Sequence, residues 1–455
     1  MRTDTNKHIL VTSTSRCSLL LSALLGLSAC AGAMANPPAG HPDPVDPGVR
    51  GGTAGAGAPL AGLTADEQAA FQDGLGEFST PEGVDEGLGP RFNGESCAQC
   101  HAQPSAGGTS PRINPQVASA TSFGARNTLP PFIMVNGPVR EARFKFNPNG
   151  TRDGGVHDLF VITGRSDLPQ PNQCNIQQPD FATAIANNNI IFRIPTPTFG
   201  AGLIEAIPDS AILDNKNANQ AEKYRLGISG HENRSGNDGT ITRFGWKAQN
   251  KSLTIFTGEA YNVEQGVTNQ LFPQEREGDK RCLFNATPED HTHPERNGAL
   301  QAISDVDRFV NFMRFTAPPE PANPNDPGIQ RGRRLFDAVG CATCHTPTLH
   351  TDESSVGALS GKDVNLFSDL LVHHMGSGLR DDIVQGGAGP DEFRTAPLWG
   401  VGQRIFFLHD GRTKDLLVAI RAHASDGSEA NRVIGRFNDL SRDDQQAILN
   451  FLRSL

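Results

Sequence analysis

Several large functional classes are excluded by what this 455-residue chain lacks. Its clearest apolar run, LLLSALLGL at 19–27, is far shorter than the roughly 20 residues a permanent membrane span needs. Positive charge is scarce: 40 Lys and Arg face 50 Asp and Glu, a net charge of −10, which argues against nucleic acid as a partner. With 8 cysteines in a chain long enough to bury an ample core, the protein is not a disulfide-held scaffold. Tryptophan is limited to two residues, Trp246 and Trp399, so each occurrence is worth asking about.

Half of the cysteines fall in two copies of one pentapeptide, CAQCH at 97–101 and CATCH at 341–345. In the spacing C-x-x-C-H two thiols can add to the vinyl groups of one haem while the adjacent histidine ligates its iron. The chain is therefore expected to carry two covalently attached haem c groups, on Cys97 and Cys100 with His101, and on Cys341 and Cys344 with His345. A zinc site or a disulfide-exchange pair is the rival use of each CxxC, and the histidine directly after both speaks against it.

Covalent haem attachment belongs outside the bacterial cytoplasm, so an export signal is expected over residues 1–30. Arg2, Lys7 and Arg16 followed by the short apolar run have that form. Leu27-Ser28-Ala29-Cys30 reads as a lipoprotein signal box with Cys30 as lipid anchor, while Ala33-Met34-Ala35 reads as an ordinary cleavage site; both place the mature protein in the periplasm. Without residues 1–30 the chain holds 37 basic and 49 acidic residues, a net charge of −12 that suits a basic electron donor or a neutral small substrate. Cys174 and Cys282 remain, and an oxidising compartment favours their pairing.

Residues 31–60, built from Pro, Gly and Ala, read as a flexible tether. Beyond them lies an internal repeat. Thr64 and Glu67 form a capping box before one haem motif, and Asp326 with Pro327 caps a helix before the other. Each half closes on a second capped helix, Ser304 with Asp307 and Ser441 with Asp444, whose apolar faces share the strings VNFMRF and LNFLRS. Gly332 would let two such helices approach closely. The expected fold is mainly α: two cytochrome c-like haem domains, 61–316 and 329–455, joined by a proline-rich linker at 317–328. His101 to Ser304 exceeds His345 to Ser441 by 107 residues, so the first domain is enlarged by a loop-rich insertion with short strands such as 190–194 and 252–256. Long insertions usually make a pocket or a partner surface.

An iron held by protein on both faces passes electrons, whereas one with a free position can activate a small molecule. In the stretch 407–424, read as a turn and a helix capped by Thr413, Leu416, Ala419, Ile420 and His423 share one face, which makes His423 the candidate second ligand of the His345 iron. Met375, His373, His374 and His409 compete for it. The first half offers Met134, His157 and His231, none on a convincing helical face, so a closed second haem and an open first one are expected.

The phrases GPVREARF at 137, FRIPTPTFGAGLIEAIPD at 192, ITRFGWKAQNKSL at 241, GEAYNVEQGVTNQLFP at 258, SDLLVHHMGSGL at 368 and FRTAPLWGVGQRIFFLHDGR at 393 resemble the diheme oxidoreductase family, a branch of the bacterial diheme peroxidases, over nearly all of residues 60–455. That resemblance implies His423, fourteen residues after His409, as sixth ligand of the electron-transfer haem. It also implies Glu264, in VEQG, as the acid over a peroxidatic first haem, although Gln265 stands where relatives carry Met. Glu259 and Glu205 are alternative acids, and Trp246 or Trp399 is a candidate relay between the haems, with ordinary core packing as the alternative reading. The implied activity is reduction of hydrogen peroxide at the first haem with electrons from a small periplasmic cytochrome or cupredoxin through the second, and relatives hold a calcium ion between domains. Rival functions are a pure electron-transfer cytochrome and an enzyme that oxidises an organic or protein substrate.

Overall fold

Local chemistry decides where the longer helices begin. The computed structural model describes residues 43–52, 54–122 and 129–455, apart from the side chains of 120–122; the export signal and Cys30 lie outside these residues. Helix α1 (Ala65–Ser79) starts at the full Thr64/Glu67 capping box. Helix α2 spans Leu253–Ala260, α3 spans Asp305–Phe315, α4 spans Pro327–Val339, α5 spans Leu416–Arg421 and α6 spans Arg442–Ser454. The side chains of Ser304, Asp326 and Ser441 accept the first free amides of α3, α4 and α6, as their sequences predict.

Two helix crossings organise the core. In the first, α1 lies against α3, with Phe78 and Phe312 ring centroids 4.7 Å apart and Gly74 so close that a Cβ would run into the Arg308 carbonyl. In the second, α4 lies against α6, with Phe336 and Phe451 5.5 Å apart, and a Cβ on Gly332 would strike the Ala447 carbonyl. The likeness extends to the pentapeptides: Phe78 is 6.2 Å from the ring of His101, and Phe336 is 6.2 Å from that of His345.

Strands are few and no longer than three residues among those described. Strand β1 (Glu141–Arg143) is central in an antiparallel sheet with β2 (Val156–His157) and β3 (Ile191–Arg193), pairing Ala142 with His157 on one side and with Phe192 on the other. A second pair, β4 (Val372–His374) and β5 (Glu392–Arg394), sets His373 opposite Phe393. Cys174 and Cys282 form a disulfide.

Three expectations need correction. Residues 252–256 are helical: the Ser252 hydroxyl caps α2 by accepting from the Ile255 amide, and Leu253, Thr257, Gly258 and Tyr261 form a buried helical face. Helix α5 is capped by Asp415 rather than Thr413, whose hydroxyl instead accepts from the Asp415 amide. Residues 43–60 are not a loose tether where described. The Asp46 carboxylate takes two bonds from Arg453 and one from the Leu416 amide, and Leu60 bonds the Phe315 carbonyl.

Candidate functional site

Each pentapeptide opens onto its own cavity. Cys97, Cys100 and His101 line one of about 440 Å³ between the α1/α3 crossing, the β1 sheet and α2 with its extension; Cys341, Cys344 and His345 line another of about 220 Å³ over the α4/α6 crossing. All four cysteines are free thiols, and burial pushes each of them up, Cys341 to about 12. They are neutral sulfur groups, available for a covalent partner.

The histidines are oriented through one nitrogen. His101 Nδ1–H donates to the Gly108 carbonyl at 3.1 Å, His345 Nδ1–H to Phe367 at 3.0 Å and His423 Nδ1–H to Ala419 at 2.8 Å. Such a bond fixes the tautomer that leaves Nε2 as a lone-pair donor. Burial lowers His101 and His345 to about 4, so both rings are neutral at ordinary pH.

What faces each histidine differs. His423, just beyond the end of α5, lines the second cavity and is close enough to His345 to depress its protonation; His373 and His409 line the same cavity. The first cavity has no second histidine among its described lining residues. Facing it instead are Glu141 on β1, Glu259 on α2, and Glu264 in the π-helical turn Tyr261–Gln265 that extends α2. Such turns are often found at functional sites because the extra residue redirects a side chain. Burial, then Glu141 and Glu259, raise Glu264 to about 8. Neighbouring Gln265 holds its Oε1 3.4 Å from Cys97 Sγ.

Other candidates sort themselves by position. Trp246 borders both cavities and donates its indole N–H to the Ile194 carbonyl at 3.1 Å, whereas Trp399 packs in the core against Gly200. Glu205 lies outside the first cavity: its oxygens accept from the Leu253 amide and from Arg314, which makes it a helix cap and ion-pair partner in place of a proton donor. Glu259 accepts a short bond from Asn250. Met134 is exposed, His157 stacks on Phe144 and His231 bonds Glu392, and none of the three lines the first cavity. In the second cavity His373 is clamped between Asp369 and Glu429, His409 stacks on Phe393 at 4.4 Å, and His374 turns outward to Asp391. Among the described residues, Cys344, Asp369 and His373 are the group with metal-ligand spacing.

A family model described as "Di-haem oxidoreductase, putative peroxidase" matches residues 162–455. The chain belongs to the di-haem oxidoreductase family. A search of the curated proteins finds no match. Among solved structures, this di-haem oxidoreductase is similar to a hydrazine synthase from Kuenenia stuttgartiensis at 16% identity over 35% of this chain, with a TM-score of 0.24; it spans 56% of that chain. It is also similar to a MauG-like protein associated with microbial copper homeostasis, at 16% identity over 64% of this chain and 94% of the other, with a TM-score of 0.28.

The residues of the di-haem oxidoreductase fit the group its family name implies. Each cavity joins two neutral thiols to a histidine oriented through its Nδ1–H, and the second adds a buried guanidinium, Arg404, whose Nε and Nη2 have no partner among the described residues. An anionic cofactor edge would satisfy it.

Proposed function

We propose that this protein is a periplasmic c-type di-haem peroxidase that reduces hydrogen peroxide in the first cavity with electrons delivered through the second. Cys97 and Cys100 would hold one haem covalently with His101 below it, and Cys341 and Cys344 the other between His345 and His423, in two cytochrome c-like domains. Bound there, haem supplies an iron that exchanges single electrons and, where one face is open, accepts oxidising equivalents from peroxide. The observation that carries this reading is the asymmetry of the cavities: His423 shares the second with His345, whereas the first has no second histidine among its described lining residues and is faced by Glu264.

Glu264 is the residue placed to handle the proton. Raised to about 8, it is a neutral acid at pH 7 and can give a proton from one oxygen while the other accepts. Gln265 donates its Nε2–H to the Glu95 carbonyl at 3.1 Å, which ties that turn to the segment just before Cys97. Trp246, between the cavities, is the relay candidate. The charge balance suits a basic periplasmic cytochrome or cupredoxin as donor, with Cys30 as lipid anchor. The first cavity is twice the volume of the second, which favours as second reading the oxidation of an organic substrate beside the same haem.

Low-temperature electron paramagnetic resonance of the oxidised protein tests the proposal. One low-spin bis-histidine signal and one that changes with peroxide or cyanide are expected. Two low-spin signals indifferent to both ligands would make the protein an electron carrier.

A further inference from the structure

Five arginines are buried among the described residues, and four of them face an aspartate: Arg165 with Asp167, Arg193 with Asp381, Arg243 with Asp209 and Arg453 with Asp46. The fifth, Arg404, is 7% exposed and faces none. Its Nε and Nη2 are buried without a hydrogen-bond partner among the described residues. Beside it lies Arg394, whose guanidinium, among the described residues, donates to the carbonyls of Gly245, at 3.0 Å, and Thr395. The two cations are near enough to oppose one another's charge, and burial with that repulsion brings Arg394 down to about 10. The acid that acts on Arg394, Asp369, is already bonded to His373 at 3.0 Å. Two uncompensated guanidiniums side by side in a protein interior are unfavourable, since removing one ion from water without a partner costs several kcal/mol.

Both side chains line the second cavity, and both also line the small chamber next to it that reaches Trp246 and Met313 on the wall of the first. A planar fork of N–H donors matches a carboxylate better than any other common anion except phosphate.

We propose that Arg404 and Arg394 form a carboxylate-binding pair, and that the carboxylates they take are the propionates of the haem in the second cavity. The inference rests on the haem assignment above. It gives the two arginines a role that no iron ligand can fill: they keep those propionates ionised at the edge nearest Trp246, so the reduction potential of that haem does not follow pH.

Spectroelectrochemical titration of the holoprotein between pH 5.5 and 8.5 reads this directly, after the haem count has been fixed by pyridine haemochrome absorbance. In the wild type the low-spin haem should titrate at one potential across the range. In Arg404→Met its potential should fall at high pH and acquire a slope approaching about 59 mV per pH unit, one proton per electron. Arg404→Lys, which keeps the charge, should restore the flat profile. If Arg404→Met does not accumulate, Arg404→Gln carries the same expectation. An unchanged potential and slope in the neutral variant overturns the inference while leaving the peroxidase reading intact. A wild-type potential that moves with added acetate identifies a free carboxylate as the occupant and overturns the propionate assignment. A haem count below two overturns the haem reading itself, and this inference with it.

Discussion

Glu264 is the residue on which the proposed chemistry turns, because burial and the two neighbouring carboxylates keep its proton in place up to about pH 8. A raised carboxyl is neutral below that value and ionised above it, so the proton-donating form is present at pH 7 and lost as pH rises through 8. Peroxide turnover should therefore decline on that limb. Glu264→Gln should lower kcat/KM for peroxide by about 10²- to 10⁴-fold, the usual contribution of a positioned acid, with haem content unchanged. His423→Ala should abolish the bis-histidine signal and let cyanide bind the second iron, read by absorbance and paramagnetic resonance. That Glu264 and His423 line the cavities of the two pentapeptides could be anticipated because one stands in a family phrase and the other on an apolar stripe. Glu205 stands in such a phrase too, yet its oxygens go to Leu253 and Arg314, neighbours 48 and 109 residues away that no local pattern announces. Arg404 is illegible for the opposite reason: a single arginine in QRIFF looks like surface, and only the fold buries its Nε and Nη2 without a partner among the described residues.

At the scale of elements, the helix crossings depend on Gly74 and Gly332, each placed so that a Cβ would strike a carbonyl of the facing helix. Gly332→Ala, and Gly74→Ala likewise, should force α4 from α6 or α1 from α3 and cost about 1–3 kcal/mol, seen as a lowered unfolding midpoint in denaturant. The four long helices could be read from sequence because a capping residue, an apolar face and a stop all lie within fifteen residues or so of each other. The stretch at 252–256 misled because Leu, Ile and Phe separated by Thr suit a strand as well as a helix over five residues; only the continuation through Thr257, Gly258 and Tyr261 shows the period. Thr413 and Asp415 are both good caps two residues apart, and the choice was made by the turn in which Thr413 pairs with Phe407.

Across the whole molecule, the insertion and the second half meet on Lys247. Its ammonium is fully buried, 3.1 Å from an Asp381 oxygen, and it donates to the Gly389 and Glu392 carbonyls while lying over the Phe393 ring. Arg193 reaches the other oxygen of the same aspartate. Lys247→Met leaves Asp381 with one cation and frees two buried carbonyls, so a loss of about 3–5 kcal/mol is expected by calorimetry. The disulfide was within reach of simple counting, since Cys174 and Cys282 were the pair left after the haem motifs and signal. The docking of residues 43–60 was not: a segment of Pro, Gly and Ala has the composition of a linker, and its attachment rests on scattered single side chains, Asp46 and Arg50 above all, and on backbone bonds. That attachment has a mechanical side. Asp46 grips Arg453 near the end of α6 through two parallel bonds and holds the first amide of α5 as well. A pull applied to the chain ahead of residue 43 is thus borne in shear by the last helix, next to the segment that carries His423, before any of it reaches α1.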